Sequence, residues 1–194
     1  MAGPSHSGDH KEGRLILSYF HPLIVAGQKI TFDHLEPFSL VVPTATKAAG
    51  VRIDVVFSNH CFSETFDARV HLGGEVDVWD RHKRRVFDRM RYDLSKALPG
   101  IVQGLQTSAV FLTPESNFVR ITMPGGIAGA DYRMFFRIAK AEKGSGCDLR
   151  LRVESAYSPT IRQAVPARDM TKIRFVVLVD KTLRGEKVRR QYKR

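Results

Sequence analysis

Apolar and polar residues alternate along much of this chain, and the alternation predicts strands. In residues 51–57 every second side chain is apolar and most of those between are polar, which is typical of a strand with one buried face. Residues 132–141 and 148–157 show the same period on either side of the segment 143–146, whose two glycines suit a tight turn. The pattern therefore predicts one well-defined strand and, much later in the chain, a β-hairpin.

Shorter apolar runs bounded by turn residues predict further strands. They lie at 14–20, 29–32, 38–42, 108–113, 118–123 and 172–179, with a weaker candidate at 75–79. Because most neighbouring strands are joined by short turns, we expect a mainly antiparallel sheet. With the helical segment described next, the expected fold class is α+β.

Residues 81–105 show helical rather than alternating periodicity. At about 100° per residue the apolar side chains fall within one broad sector. They are Val86, Phe87, Met90, Leu94, Ala97, Leu98, Ile101, Val102 and Leu105. Pro99 lacks an amide donor and is expected to kink this helix or split it in two. The sequence thus predicts one long amphipathic helix packed on one face of the sheet.

The chain of 194 residues has a net charge of +11, and two segments account for it. Residues 81–96 contain seven basic and two acidic residues, and residues 181–194 contain seven basic and one acidic. The net charges of these two segments, +5 and +6, leave the rest of the chain close to neutral. This concentration of charge indicates a localised basic surface for a polyanion. We expect a disordered leader at 1–12, a single α+β domain at 13–180 and a basic tail at 181–194.

Cysteine content and hydropathy narrow the class of protein further. Cys61 and Cys147 form no CxxC pair, so nothing suggests a secreted disulfide framework. The first residues are polar and lack the apolar core of a signal peptide. No run approaches the roughly 18 apolar residues of a membrane span. A reduced, cytoplasmic protein is the simplest interpretation.

The sheet face turned away from the predicted helix is expected to be basic. Alternation directs five arginines outward around the ring of Phe135. They are Arg133, Arg137, Arg150, Arg152 and Arg174. A basic sheet surface with an exposed aromatic ring is a platform for single-stranded RNA or DNA. The outer side of the predicted helix adds a second set for phosphate contact and base stacking. Its members are Arg85, Arg89, Tyr92 and Lys96.

An alternative interpretation of these cations needs no ligand. Outward strand positions are polar in any half-buried sheet, and helix cations often pair with nearby acids. Cross-strand pairs with Glu142 and Glu154 are expected to neutralise part of the arginine charge. Binding surface and ordinary solvated surface both remain open on the sequence.

His60 is the best single candidate for acid–base chemistry. It follows the strand at 51–57, where a side chain can be held rigidly at a sheet edge, and its ordinary pKa lies near neutrality. A metal-independent ribonuclease needs a base, an acid and cations around one phosphate. The other candidates for these roles are Glu154, Tyr157, Arg152 and Arg89. The alternative is a structural or surface histidine.

Other reactive residues offer less. Cys61 follows His60 directly and on a continuing strand points to the opposite face, so a core cysteine is favoured over a Cys–His dyad. His60, His71 and His82 lack the spacing of structural zinc ligands. The glycine-rich segment 124–129 lacks the Lys-Ser/Thr end of a phosphate-binding loop. We expect no metal and no cofactor.

The expected plan is a small basic α+β domain with a histidine at a sheet edge and Arg, Glu and Tyr on a neighbouring strand. It resembles small endoribonuclease toxins in architecture, without an aligned motif, and this resemblance implies RNA cleavage. The first hypothesis is a nucleic-acid-binding protein, with RNA favoured and metal-independent endoribonuclease activity as its extension. The alternative is a non-enzymatic interaction module, an inhibitor or accessory subunit, that docks an acidic protein.

Overall fold

A computed structural model describes residues 18–113, 117–122, 131–158 and 170–188 of the chain. These residues adopt an α+β fold with three α-helices and three sheets, in which antiparallel pairing predominates. The first six strands are β1 (Leu23–Val25), β2 (Gln28–Ile30), β3 (Phe38–Val42), β4 (Val51–Phe57), β5 (Ser63–Thr65) and β6 (Asp77–Asp80). The others are β7 (Lys83–Phe87), β8 (Ala109–Leu112), β9 (Phe118–Thr122), β10 (Tyr132–Lys140), β11 (Leu149–Tyr157) and β12 (Thr171–Arg174). The helices are α1 (Arg89–Ser95), α2 (Leu98–Gln103) and α3 (Phe175–Arg184).

The largest sheet has seven strands in the order β12-β8-β9-β10-β11-β4-β3. Alternate side chains of its central strands point inward and are almost fully buried, as in Val51, Ile53 and Val55 of β4. The helices contribute apolar residues such as Leu98, Val102 and Phe175 to the same core. The predicted strand at 51–57, the strand at 38–42 and the hairpin of 132–141 with 148–157 agree with β4, β3 and the β10–β11 pair. The pairing of β10 with β11 contains one register shift, between Phe135 and Phe136. The other side of this sheet is called the outer face below.

The predicted long helix at 81–105 is wrong. Its first part is the strand β7, which pairs with β5 and β6 in a separate three-stranded sheet. α1 begins only after Asp88, whose side chain caps it by accepting a hydrogen bond from the Arg91 amide at 3.0 Å. The helix then divides before α2, in which Pro99 occupies the first turn, as expected from its missing amide donor.

The predicted strand at 172–179 is also wrong beyond residue 174. β12 ends there and α3 follows, with Phe175, Leu178 and Val179 buried at helical spacing. An uninterrupted apolar run of this length fits a buried strand or a buried helix equally well. α3 closes with Gly185 in the left-handed conformation at φ 78°. Of the predicted strand at 14–20, residues 14–17 lie outside the described ranges and residues 18–20 are not a strand.

One strand pair of the large sheet is parallel, and it positions the site described next. β4 and β11 run in the same direction, with Phe57 beside Val153. The Ser58 amide extends the pairing by donating to the Val153 carbonyl at 2.9 Å. The 3₁₀ turn Asn59–Cys61 therefore lies next to the carboxyl end of β11. No helix within the described ranges is long and apolar enough to cross a membrane.

Candidate functional site

An open cleft of about 500 Å³ lies at the carboxyl end of β11. The turn after β4, the small sheet, α1 and the end of β11 all contribute to its walls. Four of its side chains are of types that exchange protons or bind anions: His60, Arg85, Arg91 and Tyr157. Three of these four residues, all but Arg91, were candidates on the sequence, but in unrelated roles.

His60 is held at both its backbone and its ring. The Ser58 hydroxyl caps the 3₁₀ turn by accepting from the His60 amide at 3.1 Å. The ring Nε2 atom lies 2.8 Å from Oδ2 of Asp80 on β6. This hydrogen bond holds the pKa of Asp80 below its ordinary value, so Asp80 is a carboxylate and only accepts. In the neutral ring Nε2 therefore carries the proton, and the lone pair is on Nδ1.

The His60 ring is neutral near pH 7. Burial is the largest influence and lowers the pKa of His60 below its ordinary 6.5. The hydrogen bond with Asp80 acts in the opposite direction, whereas the charges of Arg85 and Arg91 lower the pKa further. A neutral imidazole with a free Nδ1 lone pair has the protonation state of a general base.

Arg85 is not on an exposed helix stripe, as the sequence analysis had it, but is buried at 7% exposure on β7. Its Nε donates to the Ser63 hydroxyl at 2.8 Å and its Nη2 to the Ser63 carbonyl at 2.7 Å. Its Nη1 donates to the Thr65 hydroxyl at 3.3 Å. Among described residues no carboxylate forms an ion pair with it within 4.0 Å. Burial lowers the pKa of this guanidinium, and the neighbouring Arg91 charge lowers it further.

Arg91, which the sequence analysis did not select, completes the cationic part of the cleft. Its Nη1 donates to the same Ser63 carbonyl at 3.0 Å, and its Nε lies 3.5 Å from the Asp88 carboxylate. Its guanidinium carbon lies 5.2 Å from the centre of the Tyr157 ring, a cation–π contact. No local sequence signal separates Arg91 from the other cations of the basic segment, since its partners come from distant strands.

Tyr157 connects the cleft with the outer face of the large sheet. Its ring stacks on Phe135 of β10 with centroids 5.4 Å apart and an interplanar angle of 19°. Arg152 is exposed on the outer face and makes no ion pair or hydrogen bond with a described residue. It is nevertheless close enough to contribute to the lowered pKa of Asp80. Tyr157 lines the cleft together with His60 and stacks on Phe135 of the outer face, so the cleft adjoins that face.

The other predicted arginines of the outer face are largely neutralised. Arg137 pairs with Glu154 at 3.0 Å, and Glu154 also accepts from the Asn117 amide at 3.1 Å. Arg150 pairs with Asp54 at 3.1 Å and with Glu142 at 3.5 Å. The expected cross-strand pairs with Glu142 and Glu154 are thus confirmed. Glu154 is held by its contacts with Arg137 and Asn117 and does not line the cleft.

The remaining predicted binding residues do not gather at one place. Tyr92 is buried among Phe32 and Phe87, with its hydroxyl on the Thr31 carbonyl at 3.1 Å, so its ring is inaccessible to a base. Arg89 and Lys96 both pair with Asp93 at 2.8 Å on the outside of α1.

Two more arginines of the predicted outer face differ in position: Arg133 lies opposite Tyr157 in the sheet, and Arg174 lies on an edge strand. Arg133 is 6% exposed and lies beside Asp131 at 3.4 Å. Arg174 is exposed at the far edge of the large sheet, on β12. Neither lines the cleft.

Cys61 lies behind the cleft and takes no part in it. It is fully buried, as predicted for a core cysteine, and burial raises the pKa of its thiol to about 12. The thiol is therefore protonated and is a poor nucleophile. Within the described ranges no three His, Cys, Asp or Glu side chains form a group that could bind a metal ion.

A protein-family model described as the YjaZ family matches residues 22–183, which include every residue of the cleft named above. The match covers most of the chain, and the protein therefore belongs to the YjaZ family. No curated protein and no solved structure matches the chain.

Proposed function

We propose that this member of the YjaZ family binds single-stranded nucleic acid, with RNA favoured, across the outer face of its large sheet. One observation carries the proposal. Arg152, a cation without a partner among described residues, lies on the same face as the stacked rings of Phe135 and Tyr157, and that stack leads into a cationic cleft. A backbone contact, an aromatic stack and a second cationic site are the elements that single-strand binding uses.

The register of β10 and β11 supports this arrangement. Arg137 lies opposite Arg152, and Phe135 lies opposite Ser155, so cations and an aromatic ring alternate along one face. The face is formed by strands rather than by a projecting helix that would enter a duplex groove. It therefore suits a flexible strand whose bases are free to stack.

The binding test uses fluorescence anisotropy with a labelled single-stranded RNA over a series of salt concentrations. Arg152→Ala is expected to weaken binding by roughly 3- to 10-fold and to reduce the salt slope by about one. Lys29→Ala is the matched control, because it removes the same charge from the exposed hairpin of β1 and β2. Binding that is independent of salt, or an equal effect of both substitutions, would contradict the proposal.

Metal-independent RNA cleavage is the second candidate function, and the geometry of His60 favours it. In this reaction Nδ1 of His60 takes the proton of a 2′-hydroxyl, whose oxygen then attacks the adjacent phosphorus. The bond to the 5′-oxygen breaks as that oxygen receives a proton, for which the Tyr157 hydroxyl is the candidate donor among the cleft residues. Arg85 and Arg91 stabilise the negative charge that develops on the phosphoryl oxygens.

Cleavage is tested on a labelled RNA in the presence of EDTA. We expect products that end in a 2′,3′-cyclic phosphate and no cleavage of the same sequence made with 2′-deoxyribose. Cleavage of the deoxyribose strand at the same rate would exclude this chemistry, because the 2′-hydroxyl is its nucleophile.

The outer face also suits an acidic protein, the alternative that the sequence left open. RNA competes for the same arginines, so the two partners are separated by the same anisotropy assay. An acidic peptide that binds while RNA does not would favour the interaction module. We further propose a cytoplasmic location, where the two free cysteines remain reduced.

A further inference from the structure

Two guanidinium groups in the cleft share one acceptor. Arg85 Nη2 and Arg91 Nη1 both donate to the carbonyl oxygen of Ser63, at 2.7 and 3.0 Å. The two nitrogens are consequently less than about 6 Å apart, inside the range where like charges repel through a partly buried environment. A fold places two cations this closely only when other interactions offset the repulsion.

The acids around the cleft offset this repulsion only in part, because Asp80 and Glu64 favour the charge of Arg85 without forming an ion pair with it. Asp80 is engaged with His60, Glu64 lies 3.1 Å from His71, and Asp88 faces Arg91. Arg85, the more buried of the two cleft arginines, has hydroxyl and carbonyl partners and no carboxylate among described residues within 4.0 Å. A buried charge without a counter-charge is costly unless a ligand supplies one.

We infer that the cleft binds a phosphate group between Arg85 and Arg91. Phosphate oxygens accept the forked donors that arginine presents, and the group supplies negative charge, as a monoanion in a nucleic acid strand and largely as a dianion in inorganic phosphate. Arg91 Nη2 makes no hydrogen bond with a described residue, and the hydroxyls of Ser155, Tyr157 and Ser158 line the same space. The volume of about 500 Å³ is sufficient for a phosphate with an attached nucleoside.

This inference deepens the cleavage hypothesis and rests on it only for the source of the phosphate, a nucleic acid strand. Phosphate in this position lies beside the ring of His60, which lines the same cleft. The scissile phosphorus and the base are then brought together by the two arginines. The site is tested with inorganic phosphate alone, so its test is independent of RNA binding.

Isothermal titration calorimetry measures inorganic phosphate binding at constant ionic strength, with chloride as the reference anion. Arg91→Leu is expected to lower the phosphate affinity about tenfold or more. Arg84→Leu is the matched control, since Arg84 lies next to Arg85 on β7 but points to the opposite face and pairs with Asp77 at 2.9 Å. Arg91→Lys keeps the positive charge but loses the paired N–H donors of the guanidinium, and is expected to give an intermediate affinity for phosphate.

Nuclear magnetic resonance supplies the second readout. Phosphate is expected to shift the ring signals of His60, assigned by comparison with His60→Gln, and to leave those of His34 unchanged. Phosphate binding no stronger than chloride binding overturns the inference, and so does an equal loss in the Arg91 and Arg84 variants. Tight phosphate binding by a protein that neither binds nor cleaves RNA leaves the phosphate site standing and refutes the proposed function.

Discussion

The outer face of the large sheet and the cleft at its end are both rich in arginine, but they differ in how the charge is compensated. On the outer face Arg137 and Arg150 pair with carboxylates of neighbouring strands. In the cleft Arg85 is buried against a backbone carbonyl and two hydroxyls, with no carboxylate partner among described residues. The outer face keeps one exposed arginine, Arg152, without a described partner, whereas the arginine without a carboxylate partner in the cleft is buried.

The difference shows why net charge alone locates a binding surface poorly. Exposed ion pairs contribute little to stability and are exchanged readily for other partners. A buried cation without a carboxylate partner has lost much of its hydration, and no opposite charge in contact with it replaces that loss. In the functions proposed above, the face provides general attraction of a strand and the cleft provides phosphate recognition.

The largest expected difference between the two regions is in catalysis. His60→Gln is expected to lower kcat for RNA cleavage by roughly 10²- to 10⁴-fold with KM unchanged, because it removes the base and not the binding surface. Arg152→Ala is expected to raise KM a few-fold and leave kcat unchanged. His82→Gln, in the turn between β6 and β7, is the control. Equal rates for His60→Gln and the wild type would remove this histidine from the mechanism.

Arg85→Met separates binding from stability. We expect about tenfold weaker phosphate binding, while the free energy of unfolding measured in urea stays within about 1 kcal/mol of wild type or rises. The reason is that Arg91 still donates to the Ser63 carbonyl, and the Ser63 hydroxyl still donates to the Asn59 carbonyl at 2.7 Å. Arg84→Met serves as the comparison. A loss of several kcal/mol would show that Arg85 is a structural residue.

Removing an acid from the outer face is expected to have a smaller effect of opposite sign. Glu154→Gln frees Arg137, and we expect RNA affinity to increase about 3-fold with a steeper salt slope. Asp67→Asn changes the net charge equally but frees Arg69 in a distant loop. If both substitutions increase affinity to the same extent, the effect comes from overall charge and not from the face.

The smallest expected effect concerns pH. Because the folded pKa of His60 is below its unfolded value near 6.5, the neutral ring contributes stability that is present above pH 6.5 and lost as pH falls through the folded pKa. His60→Gln is expected to flatten this part of the unfolding profile. Burial also lowers the pKa of His34, so the pH dependence of stability that His34 contributes remains in the His60→Gln variant. An unchanged profile would place the folded pKa of His60 at its ordinary value.

The strands of the large sheet could largely be predicted from alternation, because their inward side chains form one continuous core. The segment 83–87 could not. Its apolar residues also fit a helical sector, and the turn before it offers no recognisable signal. Arg81 adopts φ 55° in this turn. Glycine or asparagine is more usual at such a left-handed position, so an arginine there does not indicate a turn in the sequence.

The candidate site was predictable in composition but not in arrangement. His60 and Tyr157 were selected as acid–base candidates because their side chains can exchange a proton and they lie on or next to predicted strands. Their partners come from elsewhere: Asp80 from β6 and Arg91 from α1. These contacts depend on strand pairings between distant segments, which residue periodicity does not specify.

The parallel pairing of β4 with β11 determines when the cleft forms during synthesis. The β10–β11 hairpin closes locally, but β4 must wait for a strand that begins at Leu149, after most of the chain has left the ribosome. Only then does the turn that holds His60 meet the end of β11. A nascent chain can therefore fold its small sheet early, yet it has no cleft until translation has passed Tyr157.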